Sequence, residues 1–506
     1  MNNLHLFLPC AGGVETYLAD EATKIIGDSE AIQQQMGGVA VKASWRQAMQ
    51  LNLHSRLASR VLVGVMQRPY RSEDDIYEAA CDVAWEIWFT QKQTFKIDIT
   101  ATRSPLKSLN FAALRVKDAI CDRFRHKTGE RPSVDTQRPD ARIYVHLSAE
   151  HVSLYVDTSG EPLFKRGWRE EKGDAPLKET LAAAMLAASG WWDVKGDSAA
   201  PLQPLYDPCC GSGTIVIEAA QIALGIPAGS QRRFGFERLL PYQAHVWDAM
   251  KSEALRAINT PASGTKGLKN TEKPEIYGSD VAFRMVDFAQ HNADLAGVGE
   301  VVQLRGGDAL QRKPPCEVPP QGAVILTNPP YGERIEVAGV AGVGSAVAQG
   351  RAFPQDSRNA PRVHTVRSHH ASRSEPRHQP RNEPRDEFDR PIPTWDEAPE
   401  DAAAASSGVR PARAPRETAE FNASEGDFFL QLAAHWKTHF DGWTAHLLVP
   451  DMKLPGKMRL KETRRVPLWN GPIECRLFRF DIQGRREQSK EQQVAQSSES
   501  GQNPTS

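Results

Sequence analysis

Apolar and polar residues alternate from Leu4 to Leu8, the period of a half-buried strand. Gly12 to Ala22 then spaces its apolar residues as an amphipathic helix does, and Gly37 to Lys42 reads as a returning strand. From Ser44 to Met66 the pattern predicts a helix, with Arg46, Arg56 and Arg60 as basic points, running into an apolar strand at Val61 to Val65. Phe95 to Ile99 and Ile143 to Leu147 alternate cleanly. Val152 to Val156 comes after a short turn, which predicts a hairpin. Between these strands, Phe111 to Lys127 sets Leu114, Ala119 and Phe124 at helical intervals. Together the elements predict a small α+β unit with an antiparallel sheet, separate from the remainder of the chain.

From about Pro201 the pattern becomes apolar strand, glycine turn and helix, repeated, which signals a parallel α/β sheet. It breaks near Val337. Residues 351–420 hold 12 Arg and 10 Pro with almost no hydrophobic periodicity, too little apolar surface to fold alone. The first half of this tract is basic and the second acidic and Ala-rich. Its four histidines (His364, His369, His370 and His378) are irregularly spaced, as in a solvated linker rather than a metal site. Order returns with a helix from Phe428 to His439, a strand at Ala445 to Val449 and a closing strand at Cys475 to Ile482. The tail from Gly484 is rich in Gln and Ser and reads as disordered.

Composition narrows the class. A chain of 506 residues predicts two or three domains. A net charge of -1 excludes a globally basic nucleic-acid binder but leaves room for local basic patches. Seven scattered cysteines without a C-x-x-C pair read as reduced thiols of a cytoplasmic protein, not as a disulfide framework or zinc site. The N-terminus lacks the pattern of a signal peptide, and no apolar run of about 18 residues predicts a membrane span.

The strongest chemical signal is Leu205-Tyr206-Asp207-Pro208-Cys209-Cys210-Gly211-Ser212-Gly213-Thr214, a strand ending in a carboxylate, then a Gly-x-Gly turn and a helix. Glycines there let the backbone approach a ligand. No Gly-Lys-Ser/Thr comes next, so the turn is not a P-loop, and Ile217 occupies the third glycine position of a dinucleotide fingerprint. An aspartate before the turn repels a pyrophosphate but suits the cationic end of S-adenosylmethionine. A second strand ends at Asp280, placed to accept from both ribose hydroxyls, and a third at Asp308, placed to accept from an adenine amino group. One such acid is commonly an N-cap or a turn residue; three at successive strand ends form a pattern.

DPCCGSGT, then GSD, GDA and NPPYGER, resembles the class I S-adenosylmethionine-dependent methyltransferases that methylate amines. Gly167-Trp168-Arg169 and the helix Ala175 to Ala184 are typical of a narrower group, the large-subunit (23S) ribosomal RNA guanine-N2 methyltransferases of the RlmL type, as is the segment Gly229 to Lys273. The resemblance spans roughly residues 4–335 and 425–482. It implies a seven-stranded, Rossmann-like α/β methyltransferase domain preceded by an α+β ferredoxin-like and THUMP RNA-binding region. The implied division is a ferredoxin-like segment at 1–50, THUMP at 51–160, a linker helix region at 161–200, and the methyltransferase domain at 201–337 and 421–482. An Arg/Pro-rich insert at 338–420 and a tail at 483–506 lie outside the family pattern. The cofactor residues it implies are Asp207, Cys209, Gly211, Gly213, Thr214, Asp280, Asp308 and Asn328, with Lys178 and Glu179 on the helix leading into the pocket. No metal and no membrane are implied.

The turn Asn328-Pro329-Pro330-Tyr331 carries the catalytic expectation. An exocyclic amine is a poor nucleophile because its lone pair is delocalised, so fixing its geometry assists the reaction. Asn328 Oδ1 and the Pro329 carbonyl are placed to accept its two N–H groups, and prolines offer acceptors only. Tyr331 offers a stacking face for a base flipped out of folded RNA. Cys209 and Cys210 read as packing residues. For RNA, Arg103 to Arg142 holds ten Lys/Arg against five Asp/Glu, including Arg115, Lys117, Arg123, Arg125 and Lys127 on the helix. Lys453 to Arg465 is a second basic stretch. The expected function is guanine-N2 methylation of large-subunit rRNA. The alternatives are the same chemistry on tRNA, adenine-N6 methylation of DNA, or a non-catalytic RNA-binding assembly factor.

Overall fold

Two sheets organise the chain, each with helices set by the apolar faces of its strands. The computed structural model describes residues 3–173, 176–196, 202–258, 273–330 and 423–483. The first sheet draws on β1 (Leu4–Pro9), α1 (Glu15–Ile26), β2 (Ile32–Gln35), β3 (Gly38–Ala43), α2 (Trp45–His54), β4 (Leu62–Pro69), α3 (Glu73–Asp82), β5 (Thr94–Ala101), α4 (Leu109–Thr128), β6 (Ser133–Val134), β7 (Ala141–Leu147) and β8 (His151–Asp157). Its eight strands run β2-β3-β1-β4-β8-β7-β5-β6, so the ferredoxin-like and THUMP portions share one continuous sheet.

The structure corrects three expectations. The sheet is mixed: β5 pairs in parallel with β6 and β7 because α4 crosses over between β5 and β7, while the β7–β8 hairpin is antiparallel as expected. The helix expected from Ser44 to Met66 stops at His54. It starts on a Ser44–Gln47 capping box. Beyond it, the buried Glu21 carboxylate takes the Ser55 hydroxyl and the Arg56 and Leu57 N–H groups, at 2.7, 2.7 and 3.3 Å, so these groups leave the helical ladder. The N-terminal unit is also not separate. Arg56 Nη1 meets Glu218 Oε2 at 2.9 Å and Trp469 N donates to Gly12 O at 3.2 Å, both with partners beyond residue 200.

The second sheet is built from α5 (Glu179–Ser189), β9 (Leu205–Asp207), α6 (Thr214–Leu224), α7 (Ala244–Arg256), β10 (Ile276–Asp280), α8 (Phe283–Leu295), β11 (Val302–Gly306), β12 (Ala323–Thr327), α9 (Ala423–His439), β13 (Trp443–Val449), α10 (Leu454–Met458), β14 (Arg464–Asn470) and β15 (Ile473–Asp481). The strand order is β11-β10-β9-β12-β13-β15-β14. The first five strands are parallel, and β15 pairs antiparallel with both β13 and β14. Strand alternation decides the layers. Leu205, Val324 and Leu326 join the core that includes Ile215 and Leu181, whereas Tyr206, Ala323 and Ile325 join Phe429, Trp436 and Phe440 on the opposite face. The edge strand β14 escaped sequence reading because Pro467 and the basic pair Arg464–Arg465 mask its pattern. Such residues are what an exposed sheet edge tolerates.

Candidate active site

The site lies at the carboxyl ends of β9, β10, β11 and β12, where an open parallel sheet leaves a crevice. β9 delivers Asp207 into it, 1% exposed. Its carboxylate accepts from Cys209 N at 3.1 Å. Burial pushes its pKa up to about 7, and the neighbouring Asp280 charge adds to the rise. The nearby Thr327 hydroxyl partly opposes the shift but does not reach hydrogen-bonding geometry. A cationic group placed beside this carboxyl would favour its charged form.

The turn after Asp207 is a cradle. Gly211 has φ +52°, and a Cβ built there meets no protein atom within 4 Å, so the space over it is open. Gly211 N donates to Asp280 Oδ2 at 2.9 Å, and Ala282 N donates to Asp280 Oδ1 at 2.9 Å. Gly213 caps α6 at φ +87°, where a side chain would press on Ala289 of α8. The first N–H groups of α6 therefore face the crevice with the positive end of the helix dipole. Asp308 lies one strand further on; its Oδ1 accepts from Leu310 N at 2.9 Å. The two acid loops are joined by Gly307 N donating to the Asp280 carbonyl at 2.9 Å.

A strap before α5 fastens this cradle, and sequence reasoning missed its members. Arg169 Nε pairs with Glu179 Oε1 at 2.7 Å, while Nη1 and Nη2 donate to Ser212 Oγ and Thr214 Oγ1, each at 2.8 Å. Asn292 of α8 donates to the carbonyls of Ser212 (3.2 Å) and Glu171 (2.8 Å), and its Oδ1 accepts from the N–H groups of Glu170 and Glu171. Thus Glu179 and Thr214 sit at the pocket wall with their side chains engaged by Arg169. Lys178 caps α5 with Nζ 5.5 Å from the Phe164 ring centre. Signals for Arg169 existed only in the Gly167-Trp168-Arg169 run; its targets lie 43 and 45 residues away.

At the end of β12, Pro329 is buried and Asn328 half-buried. Asn328 Oδ1 is a buried acceptor without a hydrogen-bond partner among the described residues. An orphaned acceptor of this kind costs about 1–3 kcal/mol unless a ligand fills it. Tyr331 lies outside the described residues. Burial raises the Cys209 and Cys210 thiols well above their usual range, so neither is a thiolate at neutral pH. Among the described residues no group of three His, Cys, Asp or Glu is placed to hold a metal ion, and no helix is long and apolar enough to cross a membrane.

The five basic residues expected to meet RNA all lie on α4, but most of their charges are engaged. Arg123 forms a two-pronged pair with Glu86 at 2.7 and 2.8 Å and donates to Cys81 O. Arg115 pairs with Asp74 and covers the Tyr77 ring, bracing α4 against α3. Lys117 and Arg125 pair with Asp118 and Asp122, and Lys127 is exposed in the last turn.

The sheet order, the glycine cradle after its first strand and the acids at the next two strand ends define a class I methyltransferase domain, here sharing its core with an α+β unit. Family models match in three places. The RlmL ferredoxin-like domain covers residues 5–62, the THUMP domain 70–157 and the RMKL-like methyltransferase domain 166–341. The chain is similar to the ribosomal RNA large subunit methyltransferases K/L of Psychromonas ingrahamii (38% identity) and Shewanella baltica (39%), each over 333 residues. That alignment takes in 66% of this chain but only 42% and 44% of those proteins. It is also similar in fold to SMU.472, solved in complex with SAH (TM-score 0.68, 22% identity, 96% of this chain and 99% of that one). The chain thus carries an RlmL ferredoxin-like, a THUMP and an RMKL-like methyltransferase domain in that order, and it spans less than half the length of the K/L relatives it matches.

Proposed function

We propose that the chain transfers a methyl group from S-adenosylmethionine to the exocyclic N2 of a guanosine in large-subunit rRNA, in the cytoplasm. The observation that carries this reading is Asn328 Oδ1, without a partner among the described residues, at the end of the strand beside an acid-lined glycine cradle. The names of the K/L relatives and the SAH bound to SMU.472 support it. When bound, the cofactor supplies an electrophilic methyl group on a sulfonium. Asp207 meets the cationic amino-acid end, Cys209, Gly211, Gly213 and Thr214 shape the wall along it, and Asp280 and Asp308 bind ribose and adenine. Lys178 and Glu179 close the approach. Asn328 Oδ1 and the Pro329 carbonyl accept the two amine N–H groups, which turns the nitrogen lone pair toward the methyl carbon. The transferred methyl leaves the nitrogen with one proton too many, and solvent takes it. Pro330 stiffens the turn and Tyr331 stacks on the base.

RNA reaches the pocket from the N-terminal sheet. There Arg125 and Lys127 are the outward cations of α4, and Arg115, Lys117 and Arg123 contribute mainly by holding its surface in place. The domain division goes with this reading: ferredoxin-like to residue 50, THUMP to 160, linker helix region to 200, and methyltransferase in 201–337 and 421–482. Nucleoside mass spectrometry of rRNA and tRNA from a deletion strain tests the substrate. N2-methylguanosine should disappear from the large-subunit rRNA; unchanged rRNA rules the reading out, and loss from tRNA alone transfers it to that substrate.

A further inference from the structure

The connection from β11 to β12, residues 307–322, contains no helix. The face of β10 and β11 turned away from α8 is therefore only partly covered, and it forms a cavity of about 420 Å³. Tyr277, Pro314 and Pro315 give it flat apolar walls, and Arg305, Arg312 and Lys313 give it positive charge. Among the described residues no carboxylate lines it. The nearby acid Glu275 accepts a hydrogen bond from Tyr277 Oη at 3.2 Å. Among the described residues no ion pair engages Arg305 or Lys313. Arg312 donates one N–H to Gly306 O at 2.8 Å, which anchors its guanidinium and leaves its other N–H groups for a ligand. Asp207, Gly211, Gly213, Asp280 and Asp308 are all absent from its walls, so the cavity is distinct from the cofactor crevice.

We propose that this cavity is a second ligand site and that it takes a nucleotide. Two guanidinium groups and an ammonium on one cavity, with no ion-pair partner for Arg305 or Lys313 among the described residues, match a phosphate, whose oxygens accept from the planar Arg fork. A tyrosine ring beside two prolines matches the flat face of a base. The Gln303 amide, which both donates and accepts, matches a base edge, while Gln311 Nε2 donates to Asp308 Oδ2 at 3.3 Å. The volume lies within the roughly 300–1,000 Å³ of small-ligand pockets. The nucleotide comes either from an RNA strand crossing this face or from the free pool. The site goes beyond the proposed methyl transfer and does not depend on it.

Calorimetric titration of GMP into the full chain saturated with SAH, so that the cofactor crevice is closed to the probe, tests this. One equivalent should bind. The double variant Arg305→Glu/Lys313→Glu should weaken binding at least tenfold with SAH affinity unchanged. A single-stranded oligoribonucleotide separates the sources. If its affinity falls in parallel, the nucleotide belongs to RNA; if only GMP binding falls, it is free. No GMP binding to the wild-type chain, or equal binding to the folded double variant, overturns the site. If the double variant loses SAH binding or unfolds, photolabelling of the wild-type chain by 8-azido-GMP decides. Label within residues 277–315 supports the site, and label elsewhere or none rejects it.

Discussion

Asp207 behaves unlike an ordinary aspartate. With its pKa at about 7, the folded chain holds this proton more tightly than the unfolded chain does. The stabilisation is complete below the usual carboxyl range and is lost as the pH rises through 7. A ligand ammonium inverts the preference, because it binds the carboxylate. SAH affinity should therefore rise between pH 5.5 and 7, by up to about tenfold per unit, and Asp207→Asn should flatten the profile in a calorimetric series. Asn328→Ala should abolish turnover while SAH affinity changes less than about threefold, since Oδ1 has no partner to lose among the described residues. If SAH affinity collapses as well, Asn328 belongs to the cofactor wall and not to the amine. The sequence singled out both residues because each closes an apolar strand with a polar side chain; Tyr331 lies outside the described residues, and its role rests on the sequence alone.

At the scale of elements, the strap over the glycine turn decides how rigid the cofactor site is. Arg169→Ala removes a buried ion pair with Glu179 and two hydrogen bonds to Ser212 and Thr214. SAH affinity should drop by one to two orders of magnitude, about 1.5–3 kcal/mol for charged hydrogen bonds of this kind. Arg169→Lys should recover only part of it, because a lysine cannot fork. Periodicity could not reveal this strap, since its strength lies in contacts between segments far apart in sequence. For the same reason β14 was hidden behind Pro467, and the crossover helix between β5 and β7 implied a parallel pair that alternation alone cannot orient. The basic face of α4 shows the converse: the charges were legible, but not the acids of α3 and the turn after it that take up Arg115 and Arg123.

On the scale of the molecule, the parallel α/β class of the second sheet could be read from its strand–turn–helix repeats, whereas its seven strands came only from the family resemblance, since β14 escaped the pattern. The junction between the two sheets could not be read from the sequence. Glu218, fully buried on α6, receives Arg56 at 2.9 Å from one sheet's side and Arg166 at 3.0 Å from the strap. Removing the acid leaves two buried cations unpaired, so Glu218→Ala should cost about 3–5 kcal/mol and lower the melting temperature by many degrees. A Glu218→Ala chain that also carries Arg56→Met and Arg166→Met should regain much of that loss. Wild-type chain should melt in a single transition by calorimetry, and two resolved peaks would show that the junction does not couple the halves.

Gly13 makes a second contact across this junction, at the β14 edge. At φ +84°, a Cβ there would lie 2.1 Å from the Pro467 carbonyl, so the N-terminal turn and the β14 edge touch backbone to backbone. Two sheets clasped at two separate places make a gauge. On the proposed function, an RNA held by the first sheet would be presented to the crevice of the second at a fixed reach, so its target nucleotide would be chosen by distance from the held feature as well as by its neighbours. Lengthening or shortening the RNA between grip and target by a single base pair should then disfavour modification as strongly as altering the target loop itself.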